Sequence, residues 1–270
     1  EAAEQEGAIE PGDTLVEATS GNTGIGLALV AAVKDYDLRI LLPASVSAER
    51  RQLMSAYGAT VELVEEGMSD ANDRAAALAA ERDAYQISQF DNPAHPQAHE
   101  QTTAPEIIEQ VGDRTVDIFV ATVGTGGTIS GTAKGILEEY PDMTVVGVEP
   151  AESPFLSTGQ TGEHEFQGMG PDFVPETLDR DIIDKVESVD IDTAETECRR
   201  LASEEGILVG QSSGAAAVAA RRVAERHAAT AEGSFRADGP KDPGAQPDDL
   251  LVVTLLPDTG ERYLSTGLFE

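Results

Sequence analysis

The chain has 270 residues, 40% of them apolar, enough to close a core in one large α/β unit or two modest lobes. Its formal net charge is −32, and its lysines are Lys34, Lys134, Lys185 and Lys241, so the surface repels nucleic-acid backbones and anionic lipid. No run approaches the roughly 20 apolar residues of a membrane span, and the acidic start at 1–7 lacks the order of a signal segment, so a cytoplasmic protein without nucleic-acid or membrane partners is expected.

In chain order, residues 1–7 read as the end of a helix closed by Gly7, with no initiating Met, so a preceding segment is expected to be missing. Strand-like runs follow at 14–18, 38–42, 61–64, 117–122, 144–148 and 250–255. Between and after them, helical patterns occupy 25–34, 48–57, 72–82, 128–139, 193–205 and 213–227. That alternation predicts an α/β fold with mainly parallel sheets flanked by helices. Residues 228–249 turn to Ala, Gly, Pro and Asp without periodicity and read as an exposed insertion. Cys198, the only cysteine, can form no internal disulfide.

The acidity has its own consequence. At 1 M salt the Debye length falls to about 3 Å, which screens self-repulsion, so a halophilic source is the expectation. The stability to unfolding is predicted to rise strongly from dilute to concentrated KCl; a flat response would remove that reading.

Three glycine-rich turns follow apolar strands and open helices, where unpaired backbone N–H groups face an anion. The first, Thr19-Ser20-Gly21-Asn22-Thr23-Gly24-Ile25-Gly26, also lies close to a short-chain dehydrogenase pattern. That rival needs a Tyr with Lys four positions later, and no tyrosine here has one. The second, Gly124-Thr125-Gly126-Gly127-Thr128, removes three Cβ atoms within five residues and adds two hydroxyl donors. Without a Gly-Lys-Ser/Thr ending it suits a phosphate monoester better than a nucleoside triphosphate. The third, Gly210-Gln211-Ser212-Ser213-Gly214, can offer a neutral hydroxyl to a ring nitrogen, and is also an ordinary helix cap. His95 and His99 stand four apart, but Pro96 and the lack of a third ligand argue against zinc, so no metal is expected.

The order of these turns, together with 49–51, 89–93, 100–107, 167–170 and the tail 260–266, resembles the cysteine synthases, the O-acetylserine sulfhydrylases among fold type II pyridoxal-phosphate enzymes. The resemblance implies a two-lobed, tryptophan synthase β-like fold, with a smaller lobe at 1–96 carrying the substrate-carboxylate loop and a larger one at 97–270 carrying the phosphate turn. It implies pyridoxal 5′-phosphate as cofactor, its phosphate at Gly124, Thr125, Gly126, Gly127 and Thr128, its ring hydroxyl at Asn22 and its pyridine nitrogen at Ser212. Thr19, Ser20, Thr23 and Gln89 then bind the substrate α-carboxylate, with Ser20 also an auxiliary catalytic group.

The implied reaction is β-replacement of O-acetylserine by sulfide to give cysteine and acetate; no cation stands at Gly170-Pro171-Asp172 to favour a phosphorylated donor. The family's cofactor-bonding lysine falls upstream of Glu1 in this alignment of motifs, and none of the four lysines takes its place, so the sequence is expected to be a fragment of the enzyme. Cystathionine β-synthase shares all three turns and is the alternative. A lysine-free protein binding a C-terminal peptide, such as the tail of serine acetyltransferase, is the noncatalytic one. A homodimer is also implied.

Overall fold

The computed structural model describes residues 1–19, 21–65, 67–230 and 250–270. They form two compact units: Glu1–Ala94 with Leu208–Gly210 and Asp258–Glu270, and His95–Ile207 with Gln211–Pro257. The first unit runs through α1 (Ala2–Gln5), β1 (Thr14–Ala18), α2 (Asn22–Lys34), β2 (Asp37–Pro43), α3 (Ala48–Ala56), β3 (Thr60–Val64), α4 (Met68–Arg82) and β4 (Tyr85–Gln86). Its strands lie in the order β3-β2-β1-β4, and all the pairings are parallel. Ile40, Leu41 and Leu42 in succession are fully buried, as a strand covered on both faces requires. One face packs Leu15, Ile40 and Leu42 against Ile25, Ala28 and Met54 of α2 and α3. The other packs Val16, Ala18 and Leu41 against Ala71, Ala75 and Leu78 of α4.

The second unit continues with α5 (Ala94–Ala98), a π-helical turn at His99–Thr103, α6 (Ala104–Val111), β5 (Ile118–Thr122), α7 (Gly127–Glu139), β6 (Thr144–Pro150) and α8 (Phe155–Thr158). It closes with β7 (Lys185–Val189), α9 (Ile191–Arg200), α10 (Gln211–Thr230) and β8 (Val252–Thr254). The strand order β7-β6-β5-β8 is again parallel throughout. Phe119, Ala121 and Val145 pack on Ile129, Ala133 and Ile136 of α7, while Val120, Val146 and Val148 pack on Ala215, Val218 and Ala219 of α10.

In each sheet one strand has its sequential neighbour on one side and a later strand on the other. These are β1, between β2 and β4, and β5, between β6 and β8. Open parallel sheets bind ligands beyond the carboxyl end of such a strand. The chain leaving β1 is 19–23 and the chain leaving β5 is 123–127, so two of the three glycine turns fall where topology puts a ligand.

The elements correct the expected boundaries in places. The helix expected at 72–82 starts at Met68, the helical pattern at 193–205 passes from α9 into a π-helical turn at Leu201–Glu205, and the last strand is Val252–Thr254. α10 runs through Thr230 into the expected insertion, whose residues 231–249 lie outside the described residues. Among the described residues no helix is long and apolar enough to cross a membrane.

Candidate functional site

The first group of site residues sits in the first unit, on the loop after β1. The Thr19 N–H donates to Leu41 O at 3.0 Å, ending the strand, and the Gly21 N–H donates to Thr19 Oγ1 at 3.1 Å, turning the chain into α2. Glycine is required at 21 because an ideal Cβ there would lie 2.7 Å from Cδ of the buried Arg50. Thr23 Oγ1 donates to Gln89 Oε1 at 2.7 Å, and Gln89 Nε2 donates to Ala18 O at 2.7 Å, which fixes the Gln89 amide. The structure thus brings Thr19, Asn22, Thr23 and Gln89 together; Ser20 lies outside the described residues.

Asn22 is held from both ends. Its Nδ2 donates to Asp258 Oδ2 at 3.3 Å, and its Oδ1 accepts from Arg262 Nη1 at 2.7 Å. One N–H and one lone pair of the amide are left over for a ligand. Beneath it lies a polar cluster: Arg50, Asp258 and Tyr263, with side chains 1%, 0% and 0% exposed. Arg50 Nη2 reaches Asp258 Oδ2 at 3.0 Å and the Tyr263 hydroxyl at 2.5 Å, while its guanidinium lies 4.6 Å from the Tyr263 ring centroid. The Tyr263 hydroxyl donates to Asp258 Oδ2 at 2.7 Å. Burial, followed by the charge of Asp258, pushes this phenol well above its ordinary range, so it stays a neutral donor. The cluster also explains Gly210, where a Cβ would lie 2.2 Å from the Tyr263 ring and 2.3 Å from Asp258 Oδ1.

The second group sits in the second unit, on the turn from β5 to α7. Three different contacts exclude a Cβ: at Gly124 it would lie 2.3 Å from Gly168 O, at Gly126 φ is +85° and Leu178 stands 2.5 Å away, and at Gly127 the His95 ring stands 2.6 Å away. The Ser130 N–H donates to Gly126 O, so the amides of Gly127, Thr128 and Ile129 have no acceptor one helical turn back. A bare backbone with three such amides at a helix N-terminus fits a phosphate.

The two threonine hydroxyls are held by histidines, a role the sequence reading did not assign. Thr125 Oγ1 lies 3.3 Å from His95 Nδ1 and Thr128 Oγ1 lies 3.1 Å from His99 Nε2, with Thr103 Oγ1 2.9 Å from His99 Nδ1. Burial, then the nearby His95, holds His99 down at about 4, so its ring is neutral near pH 7.

Ser212 is buried in the first turn of α10. Its neighbour Gln211 accepts the Gln167 N–H at 3.2 Å, and the Gly170 N–H donates to Val123 O at 2.9 Å. The strip 167–170 is therefore fastened on one side to the start of α10 and on the other to the β5–α7 turn. Ser213 Oγ, fully buried, has no hydrogen-bond partner among the described residues. The lysines stand elsewhere: Lys34 pairs with Glu4, Lys134 with Glu100, Lys185 opens β7, and Lys241 lies outside the described residues.

An anion-ready turn and a buried serine at a helix start are both served by one strip of chain, an arrangement that fits a phosphorylated ring compound. The chain belongs to the pyridoxal-phosphate-dependent enzyme family, whose model matches residues 1–234. It is 46% identical over 272 residues to the cysteine synthase of Staphylococcus aureus, covering 100% of this chain and 82% of that protein. Among solved structures it is similar to O-ureido-L-serine synthase, with 40% identity, a TM-score of 0.88, and coverage of 99% of this chain and 79% of that one. It is also similar to the O-acetylserine-dependent cystathionine β-synthase of Helicobacter pylori, with 37% identity, a TM-score of 0.88, and coverage of 100% and 82%. The architecture is the fold type II, tryptophan synthase β-like one that the motifs implied.

Proposed function

We propose that the chain is a cysteine synthase, replacing the β-acetoxy group of O-acetylserine with sulfide. The observation that carries this reading is 46% sequence identity with a cysteine synthase along the whole chain, and the Cβ-free β5–α7 turn supports it. Bound there, pyridoxal phosphate supplies the electron-accepting ring that makes loss of the α proton and of the β substituent possible. The chain's own residues bind and orient. The amides and hydroxyls of Gly124, Thr125, Gly126, Gly127 and Thr128 hold the phosphate, Asn22 takes the ring hydroxyl, and Ser212 faces the ring nitrogen. A serine hydroxyl leaves that nitrogen unprotonated, which suits β-elimination better than chemistry needing a stronger electron sink. Thr19, Ser20, Thr23 and Gln89 bind the substrate α-carboxylate through hydroxyls and amides in place of an arginine, and Ser20 assists catalysis.

A homodimer in the cytoplasm, able to take the C-terminal tail of a serine acetyltransferase on the 19–23 loop, completes the proposal. The H. pylori relative favours one second reading, condensation with homocysteine instead of sulfide. The cofactor-loaded protein is assayed with O-acetylserine and either sulfide or homocysteine. Cysteine forming at least about tenfold faster than cystathionine is expected, the scale on which one well-made pocket contact discriminates. The reverse ratio moves the assignment to cystathionine synthesis. No turnover, with tight binding of an acetyltransferase C-terminal peptide, makes the chain a binding module.

A further inference from the structure

Glu17 is the charged residue inside the buried run Leu15-Val16-Glu17-Ala18 of β1, and its side chain is 1% exposed. A carboxylate so placed normally has a cation beside it, yet none forms an ion pair with it among the described residues. Its two oxygens instead accept backbone amides, Oε2 from the Ser88 N–H at 2.8 Å and Oε1 from the Gln89 N–H at 3.3 Å. Ser88 is a non-glycine residue at φ +57°, and its carbonyl accepts from the amides of Asp91 and Asn92. Such a backbone persists only where its surroundings hold it. The next residue, Gln89, bridges Ala18 O and the Thr23 hydroxyl.

We propose that Glu17 is a positioning residue for the carboxylate-binding loop: its ionised carboxylate grips the amides of 88 and 89 and so sets Gln89 against Thr23. This rests on the reading of Thr19, Thr23 and Gln89 as the α-carboxylate binders.

The charges around Glu17 leave it to this task. α4 covers the opposite face of the sheet, where Val16 and Ala18 point, and β4 carries no charge. Lys34 of α2 is paired with Glu4, the buried Arg50 of α3 with Asp258, and Asp37 and Arg39 of β2 pair with each other. Burial raises the Glu17 carboxyl to about 7 against the lowering by the two amides, and Asp91 adds repulsion. The grip therefore titrates in the working range, with the ionised form present above about pH 7.

Glu17→Gln keeps the shape but turns an N–H donor toward one of the two amides. In the cofactor-loaded protein the KM for O-acetylserine should rise roughly tenfold, the worth of one hydrogen bond, with kcat within about twofold. Wild-type KM should rise as pH falls through about 7, whereas the Gln variant should be flat there. In the cofactor-free protein, amide exchange at Ser88 and Gln89 should accelerate in Glu17→Gln while amides of β2 stay unchanged. Unchanged exchange at 88–89, or a wild-type KM that falls with falling pH, overturns the proposal, the second because charge repulsion would then outweigh the grip. Gln89→Ala separates the two layers: if it leaves KM untouched, the carboxylate reading fails, whatever the exchange at 88–89 shows about Glu17.

Discussion

Asp258→Ala is expected to cost about 3–5 kcal/mol of unfolding free energy, because it removes the carboxylate that balances the charge of a buried guanidinium. Arg50 is 1% exposed, and Asp258 is the carboxylate that meets it. One oxygen of that carboxylate, Oδ2, accepts from Asn22, Arg50 and Tyr263 together. Its other oxygen, Oδ1, is buried and has no partner among the described residues, so the carboxylate is held by geometry on one side only. Tyr263→Phe keeps the ring under Arg50 and removes one hydroxyl, so about 1–2 kcal/mol is expected. Arg50→Met with Asp258→Leu removes both charges and should recover most of what Asp258→Ala loses. Urea unfolding of the three proteins at pH 7 checks the order. A loss under about 1 kcal/mol in Asp258→Ala would show that water reaches the pair. A functional loss should accompany the structural one, since Asn22 Nδ2 loses its acceptor.

That cluster also marks where reading the chain reaches its range. Long apolar strands and Gly-rich turns leave local signals, and β1, β2, β3, β5 and β6 stand where periodicity put them to within two residues. The two-residue strand β4 has no period to read, and α4 starts four residues early because Gly67 supplies the backbone turn before Met68. An ion pair 208 residues apart in sequence has no local signal at all. What was available was a misfit: Arg50 shares a helical face with Met54, four positions on, and both are buried. Glu17 is the same kind of misfit, a charge inside an otherwise buried strand. His95 and His99 stand four apart, which the sequence shows, but their partners Thr125 and Thr128 lie about thirty residues away, so only coordinates could join them.

Gly124→Ala should weaken retention of pyridoxal phosphate by roughly 10- to 100-fold, the equivalent of the ~1–3 kcal/mol that overpacking costs. The new Cβ would sit 2.3 Å from Gly168 O and 3.3 Å from its carbonyl carbon, and backbone cannot swing aside as a side chain can. Something must part, and the joint most exposed to the push is the strip 167–170. The Gln167 N–H of that strip donates to Gln211 Oε1, so the displacement reaches the start of α10, where Ser212 lies. Gly26→Ala is the control: its Cβ would meet nothing within 4 Å on α2, and a helical alanine should be neutral or stabilising by about 0.4–1 kcal/mol. Fluorescence titration with pyridoxal phosphate, repeated with inorganic phosphate as competitor, reads the difference. Weaker cofactor binding together with weaker phosphate competition places the damage at the turn. Weaker cofactor binding with unchanged phosphate competition would instead place it at Ser212. Binding equal to wild type would mean that the glycines at 124–127 serve only the packing of α7 on β5, and that the phosphate is held elsewhere.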